Sequence, residues 1–238
     1  MNFIEKIKYR VLKRKAQPSL TSGITYSQTG EDVIVKFVFD QLDIAKPSFL
    51  DLGAHHPALY NNTCIFYKNG SRGINVEPDP FLIQEFKRSR PGDINLNVGI
   101  GYSRAEETAD FYIMSAKTLN TFSHAEALKI ESYGTYRIEK VIQVRLLPID
   151  AILKHGGGKT PNFITLDVEG LDYQIIQSFD LQTIRPEVFC IETISYTEDN
   201  SEKKLTEIIK YMEDNNYFVF ADTYINTIFV DKSAWLNR

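Results

Sequence analysis

The sequence holds only two cysteines, Cys64 and Cys190, far apart and embedded in the apolar stretches CIF and VFCIE. Such a pair builds neither a disulfide framework nor a zinc site, so both read as reduced core residues. Long apolar runs are missing as well. Nothing approaches the ~20 consecutive apolar residues of a membrane span, and the first residues lack the apolar run and small-residue cleavage site of a secretory leader. The expected location is the cytoplasm. An excess of cations is also absent: a formal net charge of −4 supplies no basic field for a phosphate backbone, which makes nucleic acid a poor partner. What remains, 43% hydrophobic and 24% charged residues in a chain of 238, is the composition of a globular protein with one substantial core.

Against that overall charge, residues 5–15 concentrate Lys6, Lys8, Arg10, Lys13, Arg14 and Lys15 with Glu5 as their single acid. Phe3, Ile4, Ile7, Val11 and Leu12 recur at helical spacing, so the stretch reads as a basic amphipathic helix. Two fates suit it: packing on its own domain, or weak contact with an anionic membrane surface. Residues 1–25 are therefore assigned to this helix and a linker, and residues 26–238 to one main domain.

After residue 45, short apolar runs alternate with helical stretches, the pattern of a mostly parallel, doubly wound α/β sheet covered on both faces. Strands are predicted at 48–52, 72–77, 94–98, 162–168 and 187–193, and helices near 59–69, 80–88, 170–178 and 201–215. YFVFAD and TIFVD, separated by TYIN, close the chain as two strands joined by a tight turn, which adds an antiparallel strand at the sheet edge. An insertion, about 101–160, interrupts the alternation. It holds the alternating stretch ADFYIM, a polar turn, a helix over HAEALKIESY capped by Thr121 or Ser123, a strand over KVIQVRLL and the loop HGGGKTP. Set beyond a strand's carboxyl end, this cap region is expected to cover a ligand and to form part of an acceptor pocket.

A doubly wound sheet binds its ligand at the carboxyl ends of its strands, which brings forward FLDLGAHHPALYNNT at 49–63. Gly53 lets the backbone approach a ligand closely, and Asp51 offers an acceptor to a cationic or hydrogen-donating group. Glu77 ends the next strand, where a carboxylate accepts both hydroxyls of a ribose. The glycines of a dinucleotide cradle are missing: GAHHPA carries one where a pyrophosphate needs three. Nicotinamide and flavin are thus disfavoured. D-x-G-A followed by an acid on the second strand fits a nucleoside without pyrophosphate, above all S-adenosylmethionine, the alternative being a plain strand-to-helix turn capped by Asp51.

The ordered series YSQTGEDVIV (26–35), FLDLGAHHPALYNNT (49–63), GINVEPDP (73–80), INLNVGIG (94–101), LNTFS (119–123), FITLDVEGLDYQII (163–176) and RPEVFCIET (185–193) resembles the FkbM-type family of S-adenosylmethionine-dependent methyltransferases. The resemblance runs from about Tyr26 to near the C-terminus. It implies a Rossmann-like methyltransferase fold and S-adenosylmethionine as methyl donor. It also implies O-methylation of a sugar hydroxyl, on a nucleotide-activated sugar or glycan precursor, or of a natural-product hydroxyl. A non-catalytic S-adenosylmethionine-binding module in a biosynthetic complex is the other reading. Carried onto this sequence, the resemblance puts Asp51, Gly53 and Ala54 at the methionine end and Glu77 on the ribose. Pro78 and Asp79 then flank the adenine, with Asn97 and Val98 on its other side. Gln28 is expected to reach the cofactor or the acceptor, and Asp32, His55, Asn62, Thr63, Asn120, Thr121 and Glu192 to contact the acceptor. One departure is YNNT, which stands where SNT is more usual.

Methyl transfer to a hydroxyl needs the acceptor oxygen in line with the donor carbon and a group to take its proton. Asp167 and Glu169 of LDVEG emerge at the carboxyl edge, so either is a candidate base, with capping of the following helix as the structural alternative. Adjacent histidines point apart. His56 is expected to act as base or substrate contact and His55 to orient the turn, the reverse order remaining open; zinc would need further Cys or His ligands. The one metal option is magnesium or manganese on the oxygen-rich set Asp32, Asp167, Glu169 and Glu192. Among the aromatic residues, Tyr60, Phe66, Tyr67, Tyr102, Phe122 and Tyr133 divide between stacking platforms for a sugar or nucleotide and ordinary core.

Overall fold

The computed structural model describes residues 24–194 and 202–238. The basic stretch of residues 5–15, with the membrane contact expected of it, lies outside the described residues. Among the described residues, no helix is long and apolar enough to cross a membrane.

Apolar runs at β1 (Phe49–Leu52) and β7 (Phe163–Leu166) are buried at every position, as a parallel sheet covered on both faces requires. They pair in parallel with each other and with β2 (Gly73–Val76) and β8 (Val188–Glu192), while β3 (Ile94–Leu96) pairs with β2. The chain returns as β9 (Tyr217–Asp222) and β10 (Asn226–Asp231), giving a seven-stranded order β3-β2-β1-β7-β8-β10-β9. β10 runs antiparallel to both neighbours and sits one strand in from the edge, which β9 occupies. This is a Rossmann-like doubly wound sheet.

Alternation along each strand sends side chains to two cores. Leu50, Leu52, Ile164 and Leu166 pack with Ile208 and Met212 of α7 (Thr206–Asp214) on one face. Phe49 and Phe163 face the other side, against Val35, Val38 and Phe39 of α1 (Glu31–Gln41) and Phe66 of α2 (Cys64–Lys68). Phe39, Phe66 and Phe163 meet edge to face at 5.6–6.2 Å between ring centres, the favoured aromatic geometry. Cys64 and Cys190 are buried and free, as their apolar surroundings predict.

Two local differences from the sequence reading share one cause, polar groups that redirect the backbone. The helix expected near 59–69 contracts to α2, because the segment before it is held in an irregular loop by buried side chains described below. The strand expected at 94–98 stops at Leu96: Asn97 donates to the carbonyls of Glu77 and Pro78, and the chain leaves the sheet. It then forms β4 (Gly99–Ile100), which pairs with β6 (Ile138–Leu147) rather than with β2. Three α-helices among the described residues were not predicted as elements: α1, α5 (Ile149–His155) and a last one over Lys232–Leu236.

The insertion is a lobe of its own. β4, β6 and β5 (Glu107–Met114) make a second sheet in the order β4-β6-β5, overlaid by α4 (His124–Ser132). Ser123 is the cap of α4, its hydroxyl accepting the Glu126 amide at 3.2 Å. Thr121 has a different role: its hydroxyl reaches the Glu169 carbonyl at 3.1 Å and so ties the lobe to the end of β7.

Candidate active site

The turn after β1 is shaped by lack of space. Gly53 has φ +79°, and a Cβ there would lie 1.8 Å from the Asp167 carbonyl oxygen, so glycine alone allows the ends of β1 and β7 to close. The Gly53 and Ala54 amides both donate to the Val76 carbonyl, fastening the turn to β2. Beneath it lies a buried polar network. The Asp51 carboxylate accepts from Asn61 Nδ2 at 3.0 Å and Thr63 Oγ1 at 2.7 Å. Arg90, 1% exposed, donates to Thr63 Oγ1, Asn61 Oδ1, Asn75 Oδ1 and the Pro57 carbonyl. Burial raises the Asp51 pKa, while Thr63, Arg90 and Asn61 pull against that rise.

Several expected ligand contacts are used up in this scaffold. Thr63 is fully buried between Asp51 and Arg90, and Asn62 donates to Thr165 Oγ1 and Cys190 Sγ, so neither meets an acceptor. Asp32 is likewise buried, accepting from Thr25, Ser27 and the Tyr26 amide to brace the entry into α1. The histidine order is the reverse of the favoured one. His56 Nδ1 accepts the Ala58 and Leu59 amides and holds the loop, and His56 is not among the residues that line the cavity. His55, at φ +52°, lines the cavity, and its pKa is lowered by burial and by the neighbouring His56.

That cavity measures about 610 Å³, within the range of small-molecule sites. Its floor joins Gly53, Glu77 and Pro78 of the first two strand ends to Asp167, Glu169 and Glu192 of the next two. Glu77 accepts the His55 amide at 2.8 Å and the Asp79 amide at 2.7 Å. Burial nevertheless pushes its pKa up to about 8, with the Asp79 and Asp51 charges adding to the rise. Asp79 and Ala54 are buried beneath this wall, Asn97 braces it from outside and Val98 is buried, while Gly99 and Ile100 line the cavity instead. From the lobe come Phe111, Lys117, Asn120 and Phe122. Asn120 accepts the Met114 amide at 2.8 Å and donates to Asp79 Oδ2 at 3.1 Å, clamping the lobe over the β2 end. Gln28, Tyr60, Glu202 and Tyr224 complete the outer rim.

The acidic wall is the chemically distinctive part. Enclosure raises the Asp167 pKa to about 6, helped by the charges of Asp51 and Glu31 and opposed by a hydrogen bond with Glu192. Glu169 and Glu192 are raised further by burial and by one another's neighbours, chiefly Asp167. The structural alternative for these acids is taken by another residue: Asp172 accepts the Val168 and Gly170 amides and braces the turn. Glu169 sits at φ +54°, a left-handed conformation costing a non-glycine residue on the order of 1–3 kcal/mol. Among the described residues, no three His, Cys, Asp or Glu side chains come together to hold a metal ion. With Asp32 turned into the scaffold, the divalent-cation option loses its ligand set.

Arg90, Asn61, Lys117, Glu202 and Tyr224 were not anticipated. Arg90 stands in KRSRPGD, which reads as a solvated charge cluster, and Tyr224 in TYIN, which reads only as a turn.

A parallel sheet whose first-strand glycine turn and second-strand acid open on one cavity is a Rossmann-like architecture. The chain belongs to the methyltransferase FkbM domain family, whose model matches residues 51–219, more than half of its length. No curated protein matches it. Among solved structures it is similar to methyltransferase FkbM from Methylobacillus flagellatus KT, at 14% identity and a TM-score of 0.46, covering 78% of this chain and 44% of that one. The chain thus spans less than half of that protein's length. It is also similar to a TehB-like SAM-dependent methyltransferase from Corynebacterium glutamicum, at 9% identity and a TM-score of 0.43 over 96% of this chain and 97% of that one. A third likeness is to 1,6-didemethyltoxoflavin-N1-methyltransferase of Burkholderia thailandensis, solved with S-adenosylhomocysteine, at 9% identity, a TM-score of 0.41, and 94% and 81% coverage.

Proposed function

We propose that the protein transfers the methyl group of S-adenosylmethionine to a hydroxyl of a sugar, either a nucleotide-activated sugar or a glycan precursor. The observation that carries this reading is the single cavity in which the Gly53 turn and Glu77 face Asp167, Glu169 and Glu192. The donor is a cationic nucleoside, and these residues suit it. Gly53 leaves room for the backbone to approach, Glu77 stands where a ribose needs an acceptor, and the acid-rich floor favours a sulfonium. When bound, S-adenosylmethionine supplies an electrophilic methyl carbon. Asp167, whose pKa of about 6 lies close to neutrality, takes the acceptor hydroxyl proton on a carboxylate oxygen. Glu169 and Glu192, whose pKa values are raised by burial and by the Asp167 charge, hydrogen-bond the acceptor's oxygens and fix its pose.

Calorimetry with S-adenosylhomocysteine should give micromolar binding that Glu77→Ala weakens by about tenfold or more, the loss expected when a buried hydrogen-bond partner is removed. Unchanged affinity in that variant would remove the donor assignment. In a labelled-methyl assay against sugars and sugar nucleotides, Asp167→Asn should lower turnover by about 10²–10⁴ and leave donor affinity within about twofold. Full activity in that variant would shift the base elsewhere.

A further inference from the structure

We propose that the outer rim of the cavity is an acceptor subsite in which the rings of Tyr60 and Tyr224 pack against an uncharged, hydroxyl-rich ring whose hydroxyls are read by Gln28 and Glu202. The inference rests on the methyl-transfer reading above and names the part of the acceptor that enters first.

Among the described residues, six that are not glycine have positive φ. Asp43 and Asn216 are residue types that adopt this conformation readily. The other four, His55, Tyr60, Glu169 and Tyr224, all line the cavity. The two tyrosines are the notable members, because a bulky side chain in the left-handed region is a genuine outlier. Neither is repaid by core packing: Tyr60 is 52% exposed and Tyr224 62%. Strain that no burial offsets, confined to the walls of one cavity, marks side chains held out for a ligand.

One segment sets both rings. The Tyr26 carbonyl accepts the Asn61 amide at 2.8 Å and so fixes the loop bearing Tyr60. Five residues on, the Glu31 carboxylate accepts from Thr223 Oγ1 at 2.7 Å and Asn226 Nδ2 at 3.0 Å, fixing the turn bearing Tyr224. Gln28 lies on this segment between the two anchors, exposed and lining the cavity. Tyr224 donates its hydroxyl to Glu202 Oε1 at 2.8 Å, so its ring is oriented from the far side as well.

The charge of the walls selects the chemistry. Glu202 and Glu192 flank the way inward to Asp167 and Glu169, while Lys117, the lysine of the lining, is engaged by the Met114 carbonyl and Glu139. Among the described lining residues, a phosphate between the tyrosines would face carboxylates and no lysine or arginine but this engaged one. A neutral ring offers apolar C–H faces to the aromatic rings and hydroxyl donors to the acids, so any phosphate of the acceptor stays outside.

The test uses the full chain, labelled S-adenosylmethionine and three sets of probes: methyl hexopyranosides, UDP- and GDP-hexoses, and hexose 6-phosphates. The first or second set should accept methyl and the third should not. Tyr60→Gly and Tyr224→Gly should each raise the acceptor KM by about tenfold while S-adenosylhomocysteine affinity stays within about twofold. Because glycine adopts these conformations without strain, the thermal midpoint should hold or rise. Tyr224→Phe keeps the ring and should keep most of the affinity. Unchanged KM in both glycine variants overturns the subsite, as does a preference for hexose 6-phosphates. If S-adenosylhomocysteine binds but no neutral ring is methylated, the subsite falls and the donor assignment stands; if it does not bind, both fall.

Discussion

Arg90 shows how much of this site is built out of sight. Its guanidinium, 1% exposed, makes hydrogen bonds to four groups of the 57–75 region and stacks over Phe86, at 5.1 Å to the ring centre. Replacing it by Met should cost about 3 kcal/mol or more in urea denaturation, since Asn61, Thr63, Asn75 and the Pro57 carbonyl would each lose a partner in a dry interior. A cost below about 1 kcal/mol would mean that the network is not what holds the loop. Nothing in KRSRPGD announces this role, because the groups that recruit Arg90 come from other segments. Gly53 and Glu77, by contrast, were legible, since their place at strand ends follows from the strands themselves, whereas Asp51, expected beside the methionine end, is buried in this network instead of lining the cavity. His55 and His56 fall between: a pair was visible, but which ring faces the cavity depends on φ at His55.

Among elements, the inserted lobe matters most. Alternation in ADFYIM and KVIQVRLL identified two of its strands, and the capping box identified α4, because each is a local pattern. The register that makes β4 a partner of β6 was hidden in INLNVGIG, where the strand reads through Val98 although the Asn97 side chain takes the carbonyls of Glu77 and Pro78 and turns the chain out of the sheet. Lobe and sheet meet through Asn120, whose amide serves Met114 and Asp79 together. Asn120→Ala should therefore weaken S-adenosylhomocysteine binding several-fold in calorimetry while lowering stability by only about 1 kcal/mol, the worth of an ordinary hydrogen bond. Equal donor affinity in the variant would show that the lobe is positioned by packing alone.

At the scale of the whole molecule, carboxyl groups gather at the ends of the three parallel strands β2, β7 and β8 and their proton affinities rise together. Glu77 is pushed up to about 8, Asp172 to about 7 and Asp167 to about 6, with Glu169 and Glu192 raised as well. Burial is the first cause in each. Between the ordinary carboxyl range and pH 8, the folded state then holds more protons than the unfolded one, so stability falls as pH rises. Two groups act in the opposite sense at lower pH. His55 is depressed, and Glu31 is held at about 2 by hydrogen bonds from Thr29, Thr223 and Asn226 that outweigh its burial. The thermal midpoint of the ligand-free protein should drop from pH 5 to pH 8, and saturating S-adenosylmethionine should flatten that slope, because a cation beside the acids favours their ionised forms. A midpoint that rises over this range would contradict the acid cluster.

The amino-acid sequence by itself determined a parallel sheet and the place of its cavity. Uninterrupted apolar runs separated by helices bury both faces of every central strand, and strands running the same way bring their carboxyl ends, with Gly53, Glu77, Asp167 and Glu169, to one edge. Only the tertiary structure decided which neighbours turn toward that edge. Whether His55 or His56, Asn120 or Asn62, Glu192 or Asp32 meets the cavity is set by backbone sign, by the lobe's docking and by hydrogen bonds between segments distant in the chain, and no periodicity records those.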